Sequence, residues 1–159
     1  MEMLIYNQIT KKLIEKNLSI STMESCTAGQ IASLLTDTEG SSAVVKGGHV
    51  VYCNEAKIMA GVPIEVIEIY GVYSKETAIS MAQTCRKNFG TNIGIGVTGT
   101  FGNVDPNNAD SEAGKVYFAI DVDGEIHVYE KTLEKQETRH DYKFLIAEKI
   151  AKELETLLK

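Results

Sequence analysis

The chain has little with which to hold a metal, a disulfide framework or a nucleic acid. Its three cysteines, Cys26, Cys53 and Cys85, are an odd number without a CxxC pair, and its three histidines, His49, His127 and His140, stand far apart. Those spacings match neither a structural zinc site nor a secreted disulfide scaffold, so reduced, mostly buried thiols are expected. Sixteen lysines and arginines against 22 acids leave a formal net charge of −6. Displacing counterions from a polyphosphate needs a concentrated basic surface. Scattered pairs such as Lys11–Lys12 and Arg86–Lys87 do not provide one. Bulk nucleic acid is therefore a poor partner, although a local pocket can still hold one small phosphate.

Long apolar runs are missing too, and with them any segment able to cross a bilayer as a helix. The first residues, MEMLIYNQITKKLIEK, carry charges among their apolar positions, unlike a signal peptide. These absences predict a cytoplasmic protein without a membrane partner. Only two prolines occur, and no repeat, low-complexity tract or Pro/Gly/Ser-rich linker interrupts the chain. Its 159 residues, 43% hydrophobic and 24% charged, fit one domain of ordinary composition over 1–159.

What is present is an alternation of helical and strand patterns. Residues 4–17 place Leu4, Ile5, Ile9, Leu13 and Ile14 on one side of a helix. A short strand follows at 18–23, then a helix from 27 to about 36. Residues 43–53 (AVVKGGHVVYC) read as a strand whose Gly47–Gly48 pair marks a bulge or a close passage of another backbone. Short helices are predicted at 54–60 and 63–70, the second started by Pro63. Ser74 is a cap for a helix over 75–89, which Gly90 ends. A strand at 92–98, a polar loop at 99–114 and a strand at 115–121 come next. Asp123–Gly124 signals a two-residue hairpin leading to a last strand over 125–133. The segment 137–158 closes with helical spacing. The pattern predicts an α/β fold: a three-layer α/β/α sandwich whose mixed sheet of about five strands is mostly parallel, with one antiparallel strand.

Three strand ends carry residues capable of chemistry. ESCTAG at 24–29 lies where a strand gives way to a helix, beyond the carboxyl end of the strand, where ligands bind in such sheets. A Ser25 hydroxyl there faces the free amides expected at a helix N-terminus. From spacing alone, Ser25 or Thr27 serves equally as a plain helix cap. Cys26 is a second nucleophile by residue type, although a buried small hydrophobe is its commoner role. YCNEAK at 52–57 puts Tyr52 at the end of its strand, Asn54 at a helix cap and Lys57 in the first helical turn. The positive end of the helix dipole disfavours a cation there and lowers the pKa of an amine. VTGTFG at 97–102 is a Gly-rich turn that can present N–H groups to an anion. It has neither GxGxxG nor Walker spacing. The Asp and Asn side chains of 103–110 do not fall at EF-hand positions and read as turn formers.

Four stretches together carry a resemblance: ESCTAG at 24–29, TEGSSAVVKGGHVVYCNEAK at 38–57, GVYS at 71–74 and VTGTFG at 97–102. In order and spacing they are similar to the C-terminal domain of CinA, a family known as nicotinamide-nucleotide amidases. The resemblance implies an α/β/α sandwich that turns nicotinamide mononucleotide and water into nicotinate mononucleotide and ammonia. It implies no metal or organic cofactor. It places the nucleophile on Ser25, a tyrosine and a lysine of the site on Tyr52 and Lys57, and a strand-end hydroxyl on Thr98. Thr27, Gly29, Gly99, Thr100 and Arg139 are the substrate-binding positions it suggests, Arg139 being the candidate for the 5′-phosphate. Whether Lys57 or Tyr52 takes the serine proton stays open. Family habit implies a homodimer or higher homo-oligomer.

The chain also departs from the family pattern. Ala28 stands where a second glycine is usual, and Lys143 where the last helix often has arginine. FGNVDPNNADSEAGK replaces an AGPxGG stretch and the KPVG-like segment after it. Two other readings follow from the changed loop: an amidase for another small amide, and a catalytically reduced nucleotide-binding or competence-related interaction module.

Overall fold

The computed structural model describes residues 4–159. Their strands are β1 (Ile20–Glu24), β2 (Val45–Val50), β3 (Ile93–Gly99), β4 (Lys115–Val122) and β5 (Glu125–Thr132). The helices are α1 (Leu4–Lys16), α2 (Gln30–Leu35), α3 (Asn54–Ala60), α4 (Ile64–Tyr70), α5 (Lys75–Phe89) and α6 (Arg139–Leu157). The sheet order is β2-β1-β3-β4-β5. β1 pairs in parallel with β2 and β3, and β4 runs antiparallel to both β3 and β5. Four of the five strands thus point one way, as the sequence pattern predicts. Among the described residues, no helix is long and apolar enough to cross a membrane.

The side-chain alternation of β3 sorts the two helical layers. Ile93, Ile95 and Val97 face one side, where they join Tyr6, Ile9 and Leu13 of α1, Ile31 and Leu35 of α2, and Ile146, Ile150 and Leu154 of α6. On the opposite side stand Gly94 and Gly96. A Cβ at Gly94 would lie 2.3 Å from Ala82 O, and one at Gly96 would lie 2.4 Å from Ala78 O. Both carbonyls belong to α5, so the two glycines let its backbone settle directly on the sheet. Ser74 caps that helix by accepting from Thr77 N at 3.1 Å, and Gly90 ends it in the left-handed region at φ 64°.

Element ends differ from the sequence reading where local geometry intervenes. β2 is shorter than 43–53, because Ser41–Ala43 forms a 3₁₀ turn and the chain leaves the sheet after Val50. Tyr52 therefore closes no strand. α2 begins at Gln30 instead of 27, since Ala28 (φ 48°) and Gly29 (φ 94°) are both left-handed and break the helix before it starts. Pro63 occupies the cap position of α4, one residue ahead of its helical span. The register irregularity falls just before Gly47–Gly48, where the pairing steps from Ile20↔Val45 to Ser21↔Gly47 and leaves Lys46 as the extra residue, while the two glycines pair regularly with Ser21 and Thr22. What passes close is side chain: a Cβ at Gly47 would meet the Phe89 ring at 2.4 Å. The Asp123–Gly124 turn has φ 50° and 95°, the signature of a type I′ hairpin.

Candidate active site

β1, β2 and β3 end at the same edge of the sheet, so the segments that follow them meet there. A cleft of about 680 Å³ opens at this edge, within the size range of small-molecule sites. Ser25 and Cys26 come to its wall from β1, Tyr52 to Glu55 and Lys57 from beyond β2, and Gly99 to Phe101 from β3. Arg139, the first helical residue of α6, completes the wall together with Tyr73 and residues of the 103–108 loop.

The pair in the cleft that joins an amine to a hydroxyl is Lys57 and Ser25. Lys57 Nζ donates to Ser25 Oγ at 3.1 Å and to Val51 O at 3.0 Å. Its side chain is only 2% exposed. Among the described residues Lys57 has no carboxylate within ion-pair distance. Burial therefore pushes the ammonium below the ordinary lysine value, and more distant acids offset that only in part. An amine that sheds its proton more readily reverses this hydrogen bond and becomes an acceptor for the serine proton. Cys26 is the opposite case. Burial, with the Glu24 carboxylate close by, pushes its thiol up to about 12, so its thiolate is scarce at neutral pH.

Glu24 explains how the serine turn is held, and sequence reasoning missed it. The fully buried carboxylate accepts from Thr27 Oγ1 (2.6 Å), Ile31 N (2.8 Å) and Ala32 N (3.0 Å). The second and third amides of α2 are thus occupied by Glu24. This corrects the expectation that they stand free to face Ser25. The amides between Ser25 and the helix are different: among the described residues, those of Cys26 and Thr27 donate to no backbone carbonyl. A carboxylate that caps a helix seven residues downstream leaves no periodic signal in the sequence.

The remaining positions divide between the cleft and its supports. Tyr52 stands 59% exposed, and its OH accepts from Arg139 Nη2 at 2.9 Å. It makes no hydrogen bond to Ser25 or Lys57. Asn54 is the first residue of α3, with Cys53 at the cap position, so the expected Asn54 cap is absent. Its amide instead donates to Asn108 Oδ1 at 3.0 Å. Gly99 lines the cleft where β4 passes close: a Cβ there would lie 2.6 Å from Val116 Cα. Thr100 lines it as well, but its hydroxyl donates to Glu112 O and its N–H to Lys115 O. Thr27, Gly29 and Thr98 stand outside the cleft wall. Thr98 Oγ1 donates to Val72 O at 3.0 Å, which ties β3 to the 71–74 turn.

The 100–114 loop roofs the cleft without filling it. Asp105 organises this loop, accepting from Tyr73 OH (2.6 Å), Asn108 Nδ2 (2.7 Å) and Asn107 N (2.9 Å). The last is an Asx turn, in keeping with the turn-forming composition of the segment. These donors hold the Asp105 carboxyl below the usual carboxylate range, the Tyr73 phenol contributing most. Asp110 Oδ2 accepts from Tyr73 N at 3.1 Å, so one tyrosine anchors the loop twice. Among the described residues no group of three or more His, Cys, Asp or Glu is arranged to hold a metal ion.

Arg139 projects from the cap of α6 toward the cleft. Thr138 supplies the cap by accepting from Asp141 N at 3.1 Å. Among the described residues Arg139 has no carboxylate within ion-pair distance. It therefore offers an unneutralised planar cation at the cleft wall.

Comparison with known proteins converges on one family. A model of the CinA C-terminal domain matches residues 3–158. A "CinA-like protein" of Gemmatimonas aurantiaca is 41% identical over 112 residues, covering 70% of this chain and 26% of that relative. A "Putative competence-damage inducible protein" of Acetivibrio thermocellus is 45% identical over 111 residues, covering 69% of this chain and 27% of the relative. The chain thus spans about a quarter of the length of these curated relatives. The crystal structure of the competence/damage inducible protein CihA from Agrobacterium tumefaciens superposes with a TM-score of 0.88 at 30% identity, over 98% of this chain and 94% of that one. A CinA-superfamily structure from Klebsiella pneumoniae, with TM-score 0.89 and 21% identity over 98% and 96% of the two chains, shares the fold. By sequence and by architecture, this chain belongs to the CinA C-terminal domain family.

Proposed function

We propose that this chain is an amidohydrolase that converts nicotinamide mononucleotide and water to nicotinate mononucleotide and ammonia. One observation carries the reading: a buried, carboxylate-free lysine amine lies 3.1 Å from a serine hydroxyl in the wall of a ligand-sized cleft. A structural serine gains little from a lysine whose charge is costly to bury. A nucleophilic serine gains a base.

In this mechanism the neutral Lys57 amine takes the Ser25 proton as Oγ attacks the carboxamide carbon. The carbonyl oxygen becomes an oxyanion, for which the Cys26 and Thr27 amides are the candidate donors, since those of α2 are engaged by Glu24. Lys57 then returns the proton to the leaving nitrogen, and ammonia departs as the C–N bond breaks. Water, deprotonated by the same amine, attacks the acyl-serine. Ser25 leaves with the returned proton, and the acid is released. Lys57 is the direct base in this scheme because it alone is hydrogen-bonded to Ser25 Oγ among the described side chains. Tyr52 acts on the substrate side by orienting Arg139. A guanidinium without an acidic partner suits a phosphate monoester, which makes a nucleotide the favoured amide. Thr98, Thr27 and Gly29 support the walls that present these groups.

The test is ammonia release from nicotinamide mononucleotide by the purified protein beside Ser25→Ala and Cys26→Ala. The reading expects turnover in the wild type, background in Ser25→Ala and retained turnover in Cys26→Ala. If Cys26→Ala is dead while Ser25→Ala still works, the nucleophile is the thiol and the scheme is wrong. A folded wild type that is thermally stabilised by the nucleotide without hydrolysing it is a binding module.

A further inference from the structure

Phe101 packs against the first turn of α6. Its side chain is 1% exposed, yet it reaches the cleft wall. Its ring stacks on Tyr142 with centroids 5.2 Å apart and planes within 6° of parallel. The Arg139 guanidinium carbon lies 5.1 Å from the centre of the same ring. Arg139 and Tyr142 are three residues apart on one helix, so they are surface neighbours and grip Phe101 together.

We propose that Phe101 is the positioning residue for Arg139: its ring face holds the guanidinium toward the cleft and so sets the preference for a phosphate monoester over the matching nucleoside. The inference rests on the amidase reading only for the choice of ligand. The physical case has three parts. An arginine side chain free in solvent samples many rotamers and must lose that freedom on binding an anion. Here two contacts remove it beforehand, the Tyr52 hydroxyl at 2.9 Å and the Phe101 face. A ring face attracts a guanidinium without neutralising it or occupying its donors, whereas a carboxylate would do both. Tyr142 in turn fixes the ring plane, so the orientation of the cation traces back to a rigid stack in the core.

The test uses the Ser25→Ala protein, which binds without turning over, and calorimetric titration with nicotinamide mononucleotide and nicotinamide riboside. The ratio of the two dissociation constants measures phosphate preference. Phe101→Leu, which stays apolar and loses the ring at some loss of volume, should lower that ratio about two- to fivefold, the range of an exposed cation–π contact. Phe101→Tyr should keep it. In an Arg139→Ala background, Phe101→Leu should leave the remaining ratio unchanged. Phe101→Met is the replacement should the leucine variant not fold. A packing role alone weakens both ligands alike and leaves the ratio untouched, and that result overturns the proposal. So does an equal fall with and without Arg139. A parent that binds nucleotide and riboside equally also overturns it, while ammonia release, measured separately, still judges the amidase reading.

Discussion

Replacing Lys57 with arginine tests the chemistry at its most exposed point. The amine is 2% exposed, 3.1 Å from Ser25 Oγ, and held below the ordinary lysine value of 10.5 chiefly by burial. Arginine preserves the positive charge and the capacity to donate to Ser25 and Val51, but it does not deprotonate in proteins. If Lys57 serves only to orient the serine by donating a hydrogen bond, Lys57→Arg retains much of the activity. If it is the base, kcat should fall by about 10²- to 10⁴-fold, the usual contribution of a positioned proton acceptor. The sign of the pH dependence follows from the same reasoning. The neutral amine is the active form, so wild-type kcat/KM should rise with pH through the lowered native value and level off before 10.5. Lys57→Arg should show no such rise at any pH. The assay is ammonia release from nicotinamide mononucleotide across the pH range, with the Ser25→Ala protein as background. A wild-type profile flat down to mildly acidic pH, or an arginine variant within a few-fold of wild type, would refute the assignment of Lys57 as base.

Two further outcomes concern the serine turn. Ala28 holds a left-handed conformation at φ 48°, which costs an L-residue roughly 1–2 kcal/mol, part of which glycine's greater unfolded freedom offsets. Ala28→Gly should therefore stabilise the protein by about 0.5–1 kcal/mol in urea unfolding; a loss of stability would show that the methyl group packs usefully. Glu24→Gln keeps one acceptor oxygen and turns an NH₂ toward the α2 amides now bound by the carboxylate. Unfolding should become easier by about 2–3 kcal/mol, as for buried charge-assisted hydrogen bonds, and a change below about 0.5 kcal/mol would mean that water replaces the lost acceptor.

The architecture was legible in the sequence because its signals are local and periodic. β-branched runs gave the strands, Asp123–Gly124 gave the hairpin, and Ser74 with Gly90 bracketed α5. The sequence singles out Lys57 for a first-turn position that the structure does not keep: α3 starts at Asn54, so Lys57 falls in its last turn, and burial, not the helix dipole, lowers its pKa. What escaped was set by contacts between distant segments. Tyr52 pairs with Arg139, 87 positions later, and not with Ser25. The cap on α2 comes from Glu24, whose own strand gives no hint of where its carboxylate points. Gly94 and Gly96 look like weak strand residues until α5 is laid across them. The positions the resemblance suggested divide along the same line. Ser25, Tyr52, Lys57, Gly99, Thr100 and Arg139 reach the cleft, whereas Thr27 and Thr98 bond inward and Gly29 stands outside the cleft wall.

The connection that roofs the cleft is a hairpin between two antiparallel neighbours, not a crossover through the sheet. Its ends are clamped where they leave the strands, by Thr100 N to Lys115 O at 3.0 Å and Gly114 N to Phe101 O at 2.6 Å. Whatever lies between those clamps can lengthen or change composition at an entropic cost that grows only with the logarithm of its length. Neither the register of the sheet nor the spacing of Ser25 and Lys57 need respond. A protein built this way can revise what it admits to its cleft while keeping intact what it does to it, so divergence among relatives should accumulate in the ceiling long before it reaches the floor.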